Sequence, residues 1–128
     1  MSVRVRLPAP KQEMSMTHQN CIFCKIIARQ VPATIIAENE QILVIQDKAP
    51  KAPIHYLILP KKHIANIQSL QPEDAQSAAA ILMMAQQLSK QLAGSQACKL
   101  VINNGADAGQ VIFHLHCHFL SGKAMIDI

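Results

Sequence analysis

Three histidines alternate near the end of the sequence, in His114-Leu115-His116-Cys117-His118-Phe119-Leu120. Imidazole is the side chain whose unperturbed pKa lies nearest neutrality, so its neighbours readily tune it. In an extended chain successive side chains point to opposite faces. The pattern therefore predicts His114, His116 and His118 on one face and Leu115, Cys117 and Phe119 on the other, toward a core. A face this rich in imidazole is costly to bury without partners. A metal site of the His-x-His kind is one reading, but it needs a nearby carboxylate, and Asp107 is the only local acid. A solvated strand face is the bland alternative, and three histidines in unbroken alternation make it the weaker one.

A second group with chemical potential is Cys21-Ile22-Phe23-Cys24. Cys-x-x-Cys serves either dithiol redox chemistry or half of a zinc site. A redox dithiol sits between a strand and a helix, and nothing strand-like precedes Cys21. A zinc finger also fits poorly, because no closely paired histidines follow: His55 and His63 stand eight apart. Cys98 and Cys117 have no evident partner and read as buried thiols.

The elements that must position these groups fit within one domain. The chain has 128 residues, half of them hydrophobic and 16% charged, which suffices for a real core. The net charge is +4, and residues 1–20 supply +2 of it through Arg4, Arg6 and Lys11 against Glu13. The remainder is too weakly basic for a phosphate-tracking stripe, and aromatics are 3%, so a nucleic acid polymer is not expected as partner. The longest apolar run, Ala78 to Ala85, falls far short of a membrane span. With no secretory leader pattern at the N-terminus, a cytoplasmic, reducing setting is expected. Residues 1–19, broken by Pro8 and Pro10, read as a loosely attached extension, and 20–128 as the domain.

Apolar spacing predicts a short helix over Cys21–Arg29 and strands at Thr34–Ala37, Ile42–Gln46 and His55–Leu59. A long helix is expected from Pro72 to Ala93, with Pro72 at its first turn, Glu73 and Asp74 near its positive end, and Gly94 as its stop. Its expected apolar stripe is Ala75, Ala78, Ala79, Leu82, Ala85, Leu88 and Leu92, with Met83 and Met84 partly exposed beside it. Strands at Lys99–Asn103 and Phe113–Leu120 follow, around a small-residue loop at Gly105–Gly109. Strands, one long helix and more strands imply an α+β fold with a mostly antiparallel sheet.

The histidine segment, taken with Cys-Ile-Phe-Cys-Lys-Ile-Ile, Ala-Pro-Ile-His-Tyr-Leu-Ile-Leu-Pro-Lys-Lys-His and Asn-Asn-Gly-Ala-Asp-Ala-Gly-Gln, resembles the histidine triad (HIT) family of nucleotide hydrolases and transferases. The resemblance spans about Cys21 to Gly122 and is closest to the small nucleoside phosphoramidase (HINT-like) branch. It implies a five-stranded HIT fold with one short and one long helix. It also implies a homodimer whose two sheets join into ten strands, with the long helix as interface. His116 is implied as the nucleophile, attacking the α-phosphorus of purine nucleoside phosphoramidates or related adenylylated compounds. A nucleotidyl-histidine forms and water then releases a nucleoside monophosphate. Covalent catalysis of this kind splits one hard displacement into two easier ones. Only a neutral imidazole can attack, so some group must hold its other nitrogen as a donor.

By the same resemblance His118 is a phosphate contact and proton donor, and His55 a further histidine beside the triad. Asn103 and Gln110 bind phosphate oxygens or the leaving-group region, Asp47 binds the ribose, and Ile22, Phe23, Ile26 and Ile45 form the slot for the base. For those four, plain core packing is an equally serviceable reading, and for Asp47 a turn-capping role. Many members of the branch carry Ser directly after the Gln, where this chain has Val111, which puts the rate and the preference for amide leaving groups in question. Some relatives carry structural zinc, with ligands that match Cys21, Cys24, His63 and His114. Two thiolates and two imidazoles would close a tetrahedral site, and two buried thiols with two core histidines are the alternative. No organic cofactor is implied. Other functions left open are a nucleotide-binding or partner-binding module with little turnover, a dinucleoside polyphosphate hydrolase, and a zinc-dependent enzyme.

Overall fold

The computed structural model describes residues 20–94 and 96–123, so the expected N-terminal extension lies outside the described residues. Chain order is α1 (Ile22–Ile27), β1 (Ile35–Glu38), β2 (Ile42–Gln46), β3 (Ile54–Pro60), α2 (Ala75–Lys90), β4 (Cys98–Val101) and β5 (Cys117–Ser121). The strands form one sheet in the order β1-β2-β3-β5-β4, antiparallel at every pairing. This is the expected α+β architecture with a five-stranded sheet, one short helix and one long one.

Side-chain alternation sorts the sheet into two faces. Ile42 and Val44 of β2, Ile58 of β3, and Cys117 and Phe119 of β5 pack with Ile81, Met84, Ala85 and Leu88 of α2. Leu43, Ile45, Leu57 and Leu59 pack instead with Phe23 and Ile26 of α1. β2 is buried on both faces, which is why it reads as an unbroken apolar run. The period of two carries the α1 face onward from Ile45 to Asp47 and back from Leu57 to His55. The same face therefore receives the polar groups of the site, while α2 covers the other.

The long helix differs from expectation at its start and on its buried face. Pro72–Asp74 is a single 3₁₀ turn, and the regular helix runs from Ala75 to Lys90. Asp74 closes the turn by accepting from the Gln71 backbone N–H at 2.9 Å. The buried stripe is Ile81, Met84, Ala85 and Leu88, whereas Leu82 is 63% exposed and Met83 55%. Alanines at 75, 78, 79 and 80 allow more than one stripe, and the bulkier Ile81 and Met84 select the one that fills the core. Met84, expected beside the stripe, is thus part of it, and Leu82 is outside it.

β5 is shorter than expected, beginning at Cys117. The preceding His114–His116 segment remains extended in its alternation, because Leu115, Cys117 and Phe119 all enter the α2 core. β3 ends at Pro60, and the Leu115 N–H donates instead to the Ile64 carbonyl at 2.6 Å. Of the two cysteines expected to be buried, Cys117 is and Cys98 is exposed. Cys98 lies on edge strand β4, with its neighbour Leu100 also exposed.

Candidate functional site

The Cys-x-x-Cys pair opens α1. Cys21 is its N-cap, and its Sγ accepts from the Cys24 backbone N–H at 3.3 Å. This first turn sets both sulfurs toward the end of β3. There Cys24 Sγ lies 3.2 Å from His63 Nδ1, and His114 Nδ1 lies 3.4 Å from Cys21 Sγ and 3.5 Å from Cys24 Sγ. A tetrahedron with zinc–sulfur and zinc–nitrogen bonds of ordinary length requires ligand atoms about 3.3–3.8 Å apart. His114, fully buried, faces the Pro60 carbonyl oxygen with Nε2 at 2.8 Å. Only an N–H can meet a carbonyl there, so Nδ1 keeps its lone pair and directs it at the sulfurs. Burial, reinforced by the neighbouring Cys21, pushes the Cys24 thiol up to about 12. A divalent cation reverses that preference by favouring the thiolate. The four residues named from the resemblance therefore meet in space, and the His114 tautomer and the separations suit a metal ion.

His116 stands two residues beyond His114 and is 9% exposed. Its Nδ1 lies 2.8 Å from the His114 carbonyl oxygen, so Nδ1 carries the proton and Nε2 keeps a lone pair. This is the second group that a nucleophilic imidazole needs, and it is a peptide carbonyl. The Phe23 ring meets His116 edge-on at 5.1 Å and His114 at 5.8 Å, which ties both rings to α1.

The third group comprises His55, His118 and Asp47. His55 Nε2 lies 2.9 Å from His118 Nδ1 and 3.4 Å from Asp47 Oδ2. The Lys51 backbone N–H donates to His55 Nδ1 at 3.0 Å. Asp47 Oδ1 accepts from the Ala49 N–H at 2.8 Å, so the acid caps its own turn while Oδ2 turns to the histidines. Burial first, then His116 and His55, push His118 down to about 4, with Asp47 opposing them. Burial also lowers His55, against the pull of Asp47.

A cavity of about 1010 Å³ adjoins these groups. Ile22, Phe23, Ile26, Ile45 and Asp47 all line it, and so do Leu57, Ile112, Thr34, Gln46, Lys48 and Pro50. Leu57 was legible in principle, because it sits opposite Ile45 in the β2–β3 register. Apolar walls with a single carboxylate at one side, next to imidazoles, suit a flat heterocycle bearing hydroxyls.

Gln110, expected at the phosphate oxygens or the leaving-group region, is held by main-chain groups around it. It is 4% exposed: Oε1 accepts from the Gly105 N–H, and Nε2 donates to the carbonyl of Ala65, beyond the end of β3, and to that of Ile112. Both amide hydrogens are spent, so Gln110 braces the segment that leads to the histidines. Asn103 Nδ2 donates to the Ala108 carbonyl at 2.9 Å, and this bond leaves its Oδ1 uncommitted to that loop. Neither residue lines the cavity. Val111 is 85% exposed.

Residues 20–127 match the sequence family described as scavenger mRNA decapping enzyme C-term binding. A HIT-like protein of Synechocystis is 40% identical over 105 residues, covering 82% of this chain and 92% of that protein. The chain belongs to the histidine triad family. Among solved structures, a HIT family hydrolase from Legionella pneumophila is similar, with 39% identity and a TM-score of 0.80 over 84% of this chain and 97% of that one. A HIT family hydrolase from Clostridium thermocellum has 42% identity and a TM-score of 0.79, covering 84% and 94%. A zinc-bound histidine triad family protein from Mycobacterium smegmatis has 28% identity and a TM-score of 0.73, covering 84% and 78%. The triad of this HIT chain is His114, His116 and His118. No helix among the described residues is long and apolar enough to cross a membrane.

Proposed function

We propose that this HIT protein is a nucleotide hydrolase acting at the α-phosphorus of purine nucleoside phosphoramidates or related adenylylated compounds. The observation that carries the reading is His116: an imidazole with its proton held on Nδ1 by a carbonyl, its Nε2 lone pair available, beside a cavity walled by Phe23. The base would lie between Ile22, Phe23, Ile26 and Ile45, and the ribose hydroxyls would donate to Asp47.

Nε2 of His116 attacks phosphorus, the N–P bond forms and the bond to the leaving group breaks. The leaving amine takes a proton from solvent, because Val111 offers no hydroxyl to deliver one. Water then attacks the same phosphorus and gives up a proton to solvent, the N–P bond breaks, and His116 recovers its lone pair as the monophosphate leaves with its new oxygen. His114 O keeps the Nδ1 proton throughout, which stabilises the cationic adduct. His118 and Asn103 face the phosphate oxygens.

Zinc held by Cys21, Cys24, His63 and His114 completes the reading. It would act structurally, fixing α1 and the end of β3 to the triad segment, with all four ligand positions filled by protein. The related Mycobacterium smegmatis structure is described as zinc-bound, which supports this assignment. A homodimer joined near α2 is also proposed: Leu82 and Met83 of α2 and Leu100 of β4 stay exposed in a single chain. A cytoplasmic location fits the free thiols.

The deciding experiment supplies adenosine 5′-phosphoramidate and follows AMP release, with rapid quenching to trap an adenylyl group on His116. Turnover abolished by His116→Ala, together with an adduct on the wild type, supports the reading. Unchanged AMP release in that variant would overturn it. A binding module with little turnover would hold AMP and form no adduct.

A further inference from the structure

We propose that the peptide N–H of Lys51 sets the tautomer of His55 and, through it, that of His118, so that His118 meets the substrate phosphate as a neutral Nε2–H donor. This rests on the cavity being the nucleotide site, and it assigns a positioning role to Lys51 and His55.

The argument is one of donors and acceptors. The Lys51 N–H points at His55 Nδ1 from 3.0 Å, so Nδ1 must be an acceptor. Nδ1 then holds no proton, and a neutral His55 carries its proton on Nε2. That Nε2–H lies 2.9 Å from His118 Nδ1, with Asp47 Oδ2 further away at 3.4 Å. Two N–H groups cannot face each other at such a distance, so His118 Nδ1 must also be an acceptor. The proton of His118 is left on Nε2. One peptide amide thus specifies the hydrogen positions on two imidazoles.

The same bonds bear on two alternatives. An imidazolium at His55 or His118 requires a proton on Nδ1, where in each ring an N–H already points inward. The groups facing His118 are His116, His55, Asp47 and the Lys51 side chain, and only Asp47 among them favours charge. His118 therefore serves as a hydrogen-bond donor to phosphate rather than as an acid that surrenders a proton, which revises the proton-donor role implied by the resemblance. The Asp47–His55–His118 cluster is also compact enough to invite a metal ion. A neutral His55 ligating through Nε2 would carry its proton on Nδ1, against the Lys51 N–H. The pattern is that of a hydrogen-bonded relay.

Long-range ¹H–¹⁵N correlation on the full chain, ring-labelled at histidine, reads the tautomers directly at neutral pH. Protonated Nε2 with unprotonated Nδ1 is expected for both His55 and His118. A proton on Nδ1 of either ring would overturn the proposal, whatever the enzyme turns over. Lys51→Pro deletes the N–H and is expected to mix the His55 tautomers, whereas Lys51→Ala retains the amide and both tautomers. In a second pair, His55→Gln keeps a donor near His118 Nδ1 and His55→Glu offers only an acceptor, which should draw the His118 proton to Nδ1. Turnover in the Glu variant is expected at least about tenfold below the Gln variant, with the acid limb of its pH profile moved upward. Equal rates and profiles for the two variants would overturn the relay. Correct tautomers without AMP release would sink the proposed reaction and leave the relay standing.

Discussion

Two imidazole clusters share one face of the sheet, with His114 of one and His118 of the other four residues apart, and they do opposite things with the same side chain. In the cluster of Cys21, Cys24, His63 and His114, a backbone carbonyl accepts from the His114 Nε2–H and leaves a lone pair on Nδ1 aimed at two sulfurs. In the cluster of Asp47, His55 and His118, a backbone amide occupies Nδ1 of His55 and sends a proton outward. His116 lies between them and follows the first rule, with the His114 carbonyl on its Nδ1. A carbonyl makes an imidazole a ligand or a nucleophile, and an amide makes it a donor. The identity of a histidine's function is thus set by which peptide atom its far nitrogen meets.

The comparison can be broken most severely at the residue between the clusters. His116→Ala should lower AMP release by about 10⁴-fold or more, since a nucleophile acts as a unit with its partners; a rate within tenfold of wild type would contradict the assignment. Next in size is the thiol cluster. Cys24→Ser should lose bound zinc by elemental analysis and lower Tm by roughly 10 °C, given a few °C per kcal/mol for a domain of this size. The AMP dissociation constant of that variant should rise along with the loss of metal, because Ile22 and Phe23 of the cavity wall stand between the two cysteines; unchanged AMP binding would show that α1 keeps its place without the metal.

Smaller effects test the donor side. Asp47→Asn should reduce kcat/KM about tenfold, chiefly through KM, as expected for hydrogen bonds to a charged group. An effect confined to kcat would move Asp47 from the ribose to the chemistry. The mildest test is the pH dependence of stability. His118 is depressed to about 4, while an unfolded histidine titrates near 6.5. Between these values the unfolded chain binds the extra proton, so stability present above about 6.5 is lost as pH falls toward 4. His118→Gln should remove that component, narrowing the fall in Tm by a few °C. An identical acid dependence in the two proteins would refute the depression.

Much of this was legible in the sequence because alternation survives where hydrogen-bond ladders do not. His114, His116 and His118 share a face although β5 begins only at Cys117, since Leu115, Cys117 and Phe119 anchor the opposite side in the core. The gathering of Cys21, Cys24, His63 and His114 followed from family resemblance, not from periodicity, which links no positions so far apart in the chain. The buried stripe of α2 is ambiguous in the sequence because its alanines fit two faces, and side-chain volume decides between them. Gln110 shows a different limit: an amide suits phosphate or main chain equally well, and its bonds to the Gly105 N–H and the Ala65 and Ile112 carbonyls emerge only in three dimensions.

The His114 carbonyl and the Lys51 amide have a practical consequence for mapping this protein by mutation. Every amino acid brings the same carbonyl, and every one but proline brings the same N–H. An alanine scan would therefore pass over both positions' orienting contacts and score only their side chains. Chemical editing of the main chain, with an ester in place of the amide at residue 51, would expose what the scan cannot register.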